Sequence, residues 1–368
     1  MDKIPFMDLD AQFKSLEGPI RVAIDGVLKS RAFIQGPEVD KFEQEFLRIH
    51  GGRYGVGCAN GTTALTVALR ALGVGPGDEV LVPNHTFFGT VEPVVEVGAT
   101  PVLVDIDPEY RQFSLRDAAA KVTKKTKAMI PVHLYGIPEP MDVIMSFADD
   151  NGLKVIEDCA QAHLAKWGEN AVGTYGHIAT FSFYPGKNLG AFGDAGFILT
   201  EEENLYQWMS RYVNHGRVDK YVHEFFGTNA RMDGLQAAVL NVKLQKIEEW
   251  TERRRELAKA YNEVLEPKGF RTLRVRDRAT PVYHLYVIEV SNRDEVLIEL
   301  DRQGIGYGIH YPVPLSRQPA FKLIGYKEGQ FPVSEAVAER MISLPFFPEL
   351  TAEQMARVIE VFLKVARP

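Results

Sequence analysis

Residues 127–160 read KAMIPVHLYGIPEPMDVIMSFADDNGLKVIEDCA, and the fold turns on how this stretch divides. "KAMIPVHLYG" (127–136) and "LKVIEDCA" (153–160) are short and almost continuously apolar, the pattern of strands buried on both faces. Between them "MDVIMSFADDNG" has helical spacing and ends on a glycine, the residue best suited to close a helix. Working outward, "EVLVPN" (79–84) and "TPVLVDI" (100–106) repeat the strand pattern upstream. "ATFSFY" (179–184) and "GFILT" (196–200) repeat it downstream, and "TTALTVALRALG" supplies another helix. Alternating strands and helices predict an α/β fold, a mostly parallel central sheet covered on both faces. In such sheets functional residues gather beyond the carboxyl ends of the strands.

The segment 230–265, "ARMDGLQAAVLNVKLQKIEEWTERRRELAKAYNEVL", reads as one long helical stretch. Its first half is apolar on more than one face and its second half is heavily charged, as expected of a helix that leaves one core for another. Strand and helix patterns resume from Tyr283 and close with "TAEQMARVIEVFLKV". A large domain over 1–245 and a smaller α/β domain over 246–368 are therefore expected. The first helical stretch, roughly 10–30, is expected to pack with the smaller domain.

The chain has 368 residues, 45% hydrophobic and 25% charged, the balance of a globular protein with a sizeable core. A formal net charge of −7 argues against a nucleic-acid-binding surface but leaves room for a local phosphate pocket. Cys58 and Cys159 are far apart and offer neither a disulfide framework nor a metal-ligand cluster, so no metal is expected. The N-terminus lacks a signal-like apolar run and no segment is long and apolar enough to span a membrane, which points to the cytoplasm.

Four groups of residues can carry chemistry. "CANGTTAL" (58–65) places Gly61, Thr62 and Thr63 at the start of an apolar helix, where free N–H groups suit a phosphate. The same residues also suit plain capping by Thr62 or Thr63. "VIEDCAQAH" (155–163) ends a strand with Glu157 and Asp158, and Gln161 follows. Alternation along the strand puts the two acids on opposite sides, with Asp158 toward the site, so replacing Glu157 by Gln is expected to be mild. "NHTFFGT" (84–90) offers Phe87 or Phe88 as a cover for a planar ring. In "TFSFYPGKNLGAFGDAG" (180–196), Lys187 sits among aromatic and small residues, five residues after Ser182. A phosphate cradle, an aromatic plate, an acid beside an amide and a sequestered amine are together the parts that hold pyridoxal phosphate.

The order and spacing of "FIQGPEVDKFE", "ANGTTAL", "GVGPGDEVLVP", "PVHLYG", "VIEDCAQAH", "FSFYPGKNLGAFGDAG", "TNARMDGLQAAVL" and "GIHYPVPL" resemble the DegT/DnrJ/EryC1/StrS family of sugar aminotransferases, which are fold-type I pyridoxal-phosphate enzymes. The resemblance implies that Lys187 bonds the cofactor aldehyde and that Asp158 partners the pyridine nitrogen. It implies Gln161 near the ring hydroxyl, Phe87 on the ring face, and Gly61, Thr62, Thr63 and Ser182 around the phosphate. Asn229 matches an asparagine that reaches the phosphate of a neighbouring subunit, so a homodimer with shared sites is implied. Tyr184, His310 and Tyr311 fall where the sugar substrate is expected. Leu164 and Ala195 stand where many relatives have glycine, beside signature residues that are retained.

Within the family, the sequence around the lysine resembles enzymes acting on dTDP- or UDP-linked 3-keto hexoses, with L-glutamate as donor and pyridoxamine phosphate formed during turnover. A 4-keto nucleotide sugar or a keto-cyclitol is the alternative substrate. A non-catalytic pyridoxal-phosphate sensor is the alternative of another class. A nicotinamide oxidoreductase is not supported, because no glycine-rich loop follows the first strand with an acid some twenty residues on.

Overall fold

The computed structural model describes residues 3–322 and 324–368. Its central sheet has seven strands: β1 (Tyr54–Cys58), β2 (Glu79–Pro83), β3 (Thr100–Val104), β4 (Thr126–Met129), β5 (Lys154–Asp158), β6 (Ile178–Ser182) and β7 (Gly196–Thr200). They lie in the order β1-β7-β6-β5-β4-β2-β3. All neighbours pair in parallel except β7, which runs antiparallel to both β1 and β6. The expected mostly parallel sheet is therefore present. Its carboxyl edge gathers the loops after β1, β2, β5 and β6, together with the start of β7.

β4 is shorter than the apolar run that contains it. Pro131 cannot donate to a ladder, and the chain then turns through Tyr135 and Gly136, both left-handed at φ 60° and 80°. Helix α1 (Leu9–Ser30) begins at Asp8, whose carboxylate accepts the Ala11 N–H at 2.8 Å. Helix α2 (Pro37–His50) has proline at its first position and closes on left-handed Gly51. Helix α3 (Gly61–Ala71) buries every residue from Ala64 to Leu69 against β2, β4, β5, β6 and β7. On the opposite face of the sheet, Phe46 of α2 meets Phe181, Phe183 and Phe197, with ring centroids 4.8–5.3 Å apart.

Residues 230–265 form two helices rather than one. Helix α4 (Gly234–Leu244) and helix α5 (Ile247–Leu265) are separated by a turn in which the Lys246 N–H returns to Lys243 O. The apolar first half packs beside α1 and α2, whereas Leu257, Ala258, Tyr261 and Leu265 of α5 face a second core. A change of axis lets one segment serve both. That second core surrounds a three-stranded antiparallel sheet of Arg271–Thr272, Tyr286–Glu289 and Met341–Leu344.

The first helix meets both helices of this segment. Leu16 and Ile20 of α1 pack with Val239 of α4 and Trp250 of α5, and Lys243 donates to Gln12 at 2.8 Å. The link to the small sheet is made by the segment before the helix. Ile4 exchanges backbone hydrogen bonds with Gly304 and Gly306 at 3.0 and 2.8 Å and joins the second core. Elsewhere the two cores are joined by a buried Arg111–Glu289 ion pair and by Asp105, which accepts the N–H groups of Val333 and Ser334. Among the described residues no helix is long and apolar enough to cross a membrane.

Candidate active site

The end of β1 leads into the first turn of α3. Asn60, in extended conformation, caps this helix by accepting the Thr63 N–H at 2.8 Å. Capping therefore falls to Asn60 and not to Thr62 or Thr63, which leaves the Gly61 and Thr62 N–H groups heading the helix without intrahelical partners. Gly61 is required by closeness: a Cβ there would lie 2.7 Å from Ser182 Cβ. Gly196 is required for the same reason, since its Cβ would meet Asn60 C at 2.5 Å. Gly89 brings the β2 loop against Thr62 Oγ1 and Phe87. The result is a cup of backbone N–H and hydroxyl groups from Gly61, Thr62 and Ser182 at a helix N-terminus, an arrangement suited to phosphate.

Asp158 ends β5 and is almost fully buried. One oxygen accepts the Thr90 hydroxyl at 2.9 Å and the other the Ala160 N–H at 3.1 Å, and Thr90 also meets Thr86 at 3.0 Å. Burial pushes the Asp158 carboxyl up from its ordinary value, opposed by these two donors and by the charge of Lys187. Lys187 lies in the loop after β6, its N–H bonded to Tyr184 O at 2.8 Å. Burial lowers its amine to about 8, and Asp158 acts in the other direction. The amine of half-buried Lys187 and the buried Asp158 carboxylate thus act on each other's charge at the carboxyl edge.

Gln161 has its two ends assigned. Its oxygen accepts the Tyr135 N–H at 2.6 Å and its nitrogen donates to the Tyr311 hydroxyl at 3.3 Å, so it offers the site a donor. Phe87 is 55% exposed, with its ring 5.8 Å from that of Tyr311, while Phe88 packs into the core. Phe87 is therefore the ring left free to cover a planar group. His310 bonds Ser343 Oγ at 2.8 Å and stacks on Phe6, and Tyr184 stands open to solvent.

Asn229 does not begin a helix. It bridges to Asn214, while the adjacent Ala230 accepts the Ala59 N–H at 3.0 Å, which sets residues 229–231 alongside the approach to the cup. Asn229 itself is exposed. Phe6, Met7 and Thr90 escaped the sequence reading. Met7 lies 3.3 Å from where a Cβ of Gly186 would stand, next to Lys187. The apolar run "IPFM" was the available signal, but nothing local tells that it reaches a loop 180 residues away.

On the other side of β5, Glu157 is fully buried and accepts the N–H groups of Gly173, Tyr175 and Gly176 at 2.7–2.9 Å and His133 Nε2 at 3.1 Å. His133, Glu157 and Cys159 bring donor atoms within 4.8 Å of one another, as a metal site would. The Glu139 N–H occupies His133 Nδ1 at 3.0 Å, so both imidazole nitrogens and both carboxylate oxygens are committed to bracing the turn at 173–176. Replacing Glu157 therefore bears on the packing of this turn rather than on the site.

A phosphate cup, a buried acid, an amide donor, an open aromatic ring and an amine of lowered basicity match the groups of pyridoxal phosphate one for one. Residues 15–363 match the DegT/DnrJ/EryC1/StrS aminotransferase family. The chain belongs to this family. As a DegT/DnrJ/EryC1/StrS aminotransferase it has the fold of the pyridoxal-phosphate aminotransferases, and pyridoxal phosphate is its cofactor. It is 43% identical over 360 residues, 97% of each chain, to a Geobacillus stearothermophilus protein named pleiotropic regulatory protein. It is 42% identical over 358 residues, 97% of this chain and 96% of the other, to a UDP-N-acetyl-3-dehydro-alpha-D-glucosamine 3-aminotransferase of Acidithiobacillus ferrooxidans. The crystal structure of S. venezuelae DesV in complex with a ketimine intermediate aligns with a TM-score of 0.96 and 39% identity, covering 99% of this chain and 98% of that one.

Proposed function

We propose that the protein transfers the amino group of L-glutamate to the C3 carbonyl of a UDP- or dTDP-linked 3-keto hexose. The observation that carries this reading is the Lys187–Asp158 pair beside the helix-end cup, in a chain 42% identical to a 3-aminotransferase of a UDP-linked keto sugar. Pyridoxal phosphate, when bound, holds the amino group between the two substrates and accepts the electrons of the broken C–H bond. The chain's own residues do the rest. The Gly61 and Thr62 N–H groups and the Ser182 hydroxyl hold the phosphate, with Thr63 in the same turn. Asp158 keeps a proton on the ring nitrogen, Gln161 Nε2 donates to the ring oxygen, and Phe87 covers the ring face. Lys187 Nζ, made less basic by burial, removes a proton from the donor carbon and delivers one to the acceptor. Tyr184, His310 and Tyr311 line the acceptor side. A division of the chain near 245/246 and a cytoplasmic location belong to the same proposal.

Purified holoenzyme offered glutamate and a panel of keto nucleotide sugars should yield the 3-amino product. Amination of 4-keto sugars or of keto-cyclitols alone would overturn the choice of carbon. A cofactor spectrum that glutamate leaves unchanged would favour the regulatory role suggested by the name of the Geobacillus relative.

The active unit of this proposal is a homodimer in which Asn229 reaches the partner's phosphate. Exposed Val218, Tyr221, Val222 and Phe226, with Phe33 and Ile34 beside the start of α4, leave apolar surface near Asn229 that no described residue covers. Lys187→Ala and Asn229→Ala proteins, each inactive alone, should recover about a quarter of wild-type activity after subunit exchange, since half the dimers are hybrids with one intact site. No recovery after proven exchange would leave Asn229 serving the cup of its own chain, alongside which it runs.

A further inference from the structure

Tyr135 is in none of the roles above, yet Gln161, His284, His310 and His85 all meet on it. Its backbone is left-handed, and Gly136 follows in the same region with no room for a side chain: a Cβ there would lie 2.8 Å from Val282 Cγ2 and 2.9 Å from both Gln161 O and His284 N. This turn lets both polar backbone groups of Tyr135 leave the sheet. The N–H goes to Gln161 Oε1 at 2.6 Å, and the carbonyl accepts the His284 N–H at 2.7 Å. The hydroxyl, fully buried, donates to His310 O and lies 2.7 Å from His85 Nε2. Since the hydroxyl proton is spent on His310, His85 must donate from Nε2. Its Nδ1 is accordingly bare and without a partner among the described residues, and burial holds the imidazole at about 4, neutral at physiological pH.

We propose that Tyr135 is a positioning residue that sets the cofactor side and the acceptor side of the site against each other. Its N–H occupies the oxygen of Gln161, so the amide cannot flip and presents only its NH2 end. Its hydroxyl ties the carbonyl of His310 to the loop after β2, which fixes the adjacent Tyr311, and Tyr311 is in turn bonded to Gln161 at 3.3 Å. Tyr135, Gln161 and the 310–311 segment therefore close a ring of hydrogen bonds between the large sheet and the small one. The hydroxyl limb bears on the acceptor side, and the N–H limb bears on the cofactor.

This inference rests on the proposed placement of the sugar beside His310 and Tyr311, and Tyr135→Phe separates the two. The variant deletes only the hydroxyl and keeps the N–H to Gln161. In folded holoenzyme, amide hydrogen exchange over residues 308–313 should rise about tenfold more than in any other segment. The KM for the acceptor sugar should rise about tenfold, with the glutamate half-reaction within about twofold of wild type. His85→Gln, which can still donate to the hydroxyl, should keep 308–313 protected. Unchanged exchange at 308–313, or an equal fall in both half-reactions, overturns the proposal. A wild-type enzyme that aminates no sugar in the panel overturns the substrate assignment instead, and the exchange measurement still decides the role of Tyr135.

Discussion

Glu157 and Asp158 are consecutive carboxylates on one strand, both buried, and they face opposite sides of the sheet. Their partners differ in kind. Glu157 is held by three backbone N–H groups and an imidazole whose other nitrogen already accepts a hydrogen bond. None of these can exchange donor for acceptor. Asp158 is held by one backbone N–H and by Thr90, a hydroxyl that can rotate and whose neighbour is another hydroxyl, Thr86. One side of the strand is a closed structural brace. The other side has spare capacity, and a carboxylate with spare capacity beside an amine can serve a ligand.

The strongest way to break this comparison is Asp158→Asn. Turnover should fall about 10²–10³-fold, because the ring nitrogen loses the charge that keeps it protonated, while cofactor is still retained through the cup. Stability should behave differently. A carboxyl raised above its ordinary value costs the folded state stability as pH climbs through and beyond that ordinary value. Removing it relieves that cost, and Thr90 can turn to accept from the new amide. Cofactor-free Asp158→Asn should therefore melt no lower than wild type at pH 7. A clear loss of melting temperature would make Asp158 a second brace and dissolve the distinction.

Glu157→Gln should give the reverse. The amide oxygen can take the N–H groups of Tyr175 and Gly176, but the NH2 then points at the Gly173 N–H. His133 cannot accept from it without turning its own Nδ1–H onto the Glu139 N–H. A buried donor is left without an acceptor in every arrangement, at a cost of about 1–3 kcal/mol. Calorimetry should show a lowered melting temperature, with turnover per folded molecule within about threefold of wild type. A variant that melts normally but is catalytically dead would mean the two faces of the strand had been exchanged.

The strand-end acid and the loop lysine were legible because each depends on a short segment. Alternation along β5 tells which acid faces which side, and "YPGKNLG" sets the lysine just past β6. What Glu157 holds was not legible, since its donors lie 16–19 residues on, in a turn without a periodic signal. Asn60 took the capping role that the threonines also suited, because its extended backbone aims its side chain at Thr63. The break at 245–246 was hidden by unbroken helix-forming residues on either side. Phe6, Met7 and Tyr135 enter the site through contacts spanning most of the chain, and neither periodicity nor composition carries that information.

The finest test of the comparison uses Lys187 as a probe of the charge on each face. Burial depresses its amine to about 8, and the Asp158 carboxylate acts against that shift. For a depressed amine the sign is fixed: between about pH 8 and its ordinary value the unfolded chain binds the proton and the folded chain does not, so stability gained from this group rises with pH across that window and is lost as pH falls through 8. Only the neutral amine can bond an aldehyde. The rate at which cofactor-free protein captures pyridoxal phosphate, followed by stopped-flow absorbance, should therefore rise with pH around a midpoint near 8. Asp158→Asn should move that midpoint lower, since this opposition to burial is then lost. Glu157→Gln, with its charge on the far side of the strand, should leave it in place. An ordinary lysine midpoint in wild type would refute the buried amine, and equal shifts in both variants would show that Lys187 feels the strand end as a whole rather than one of its faces.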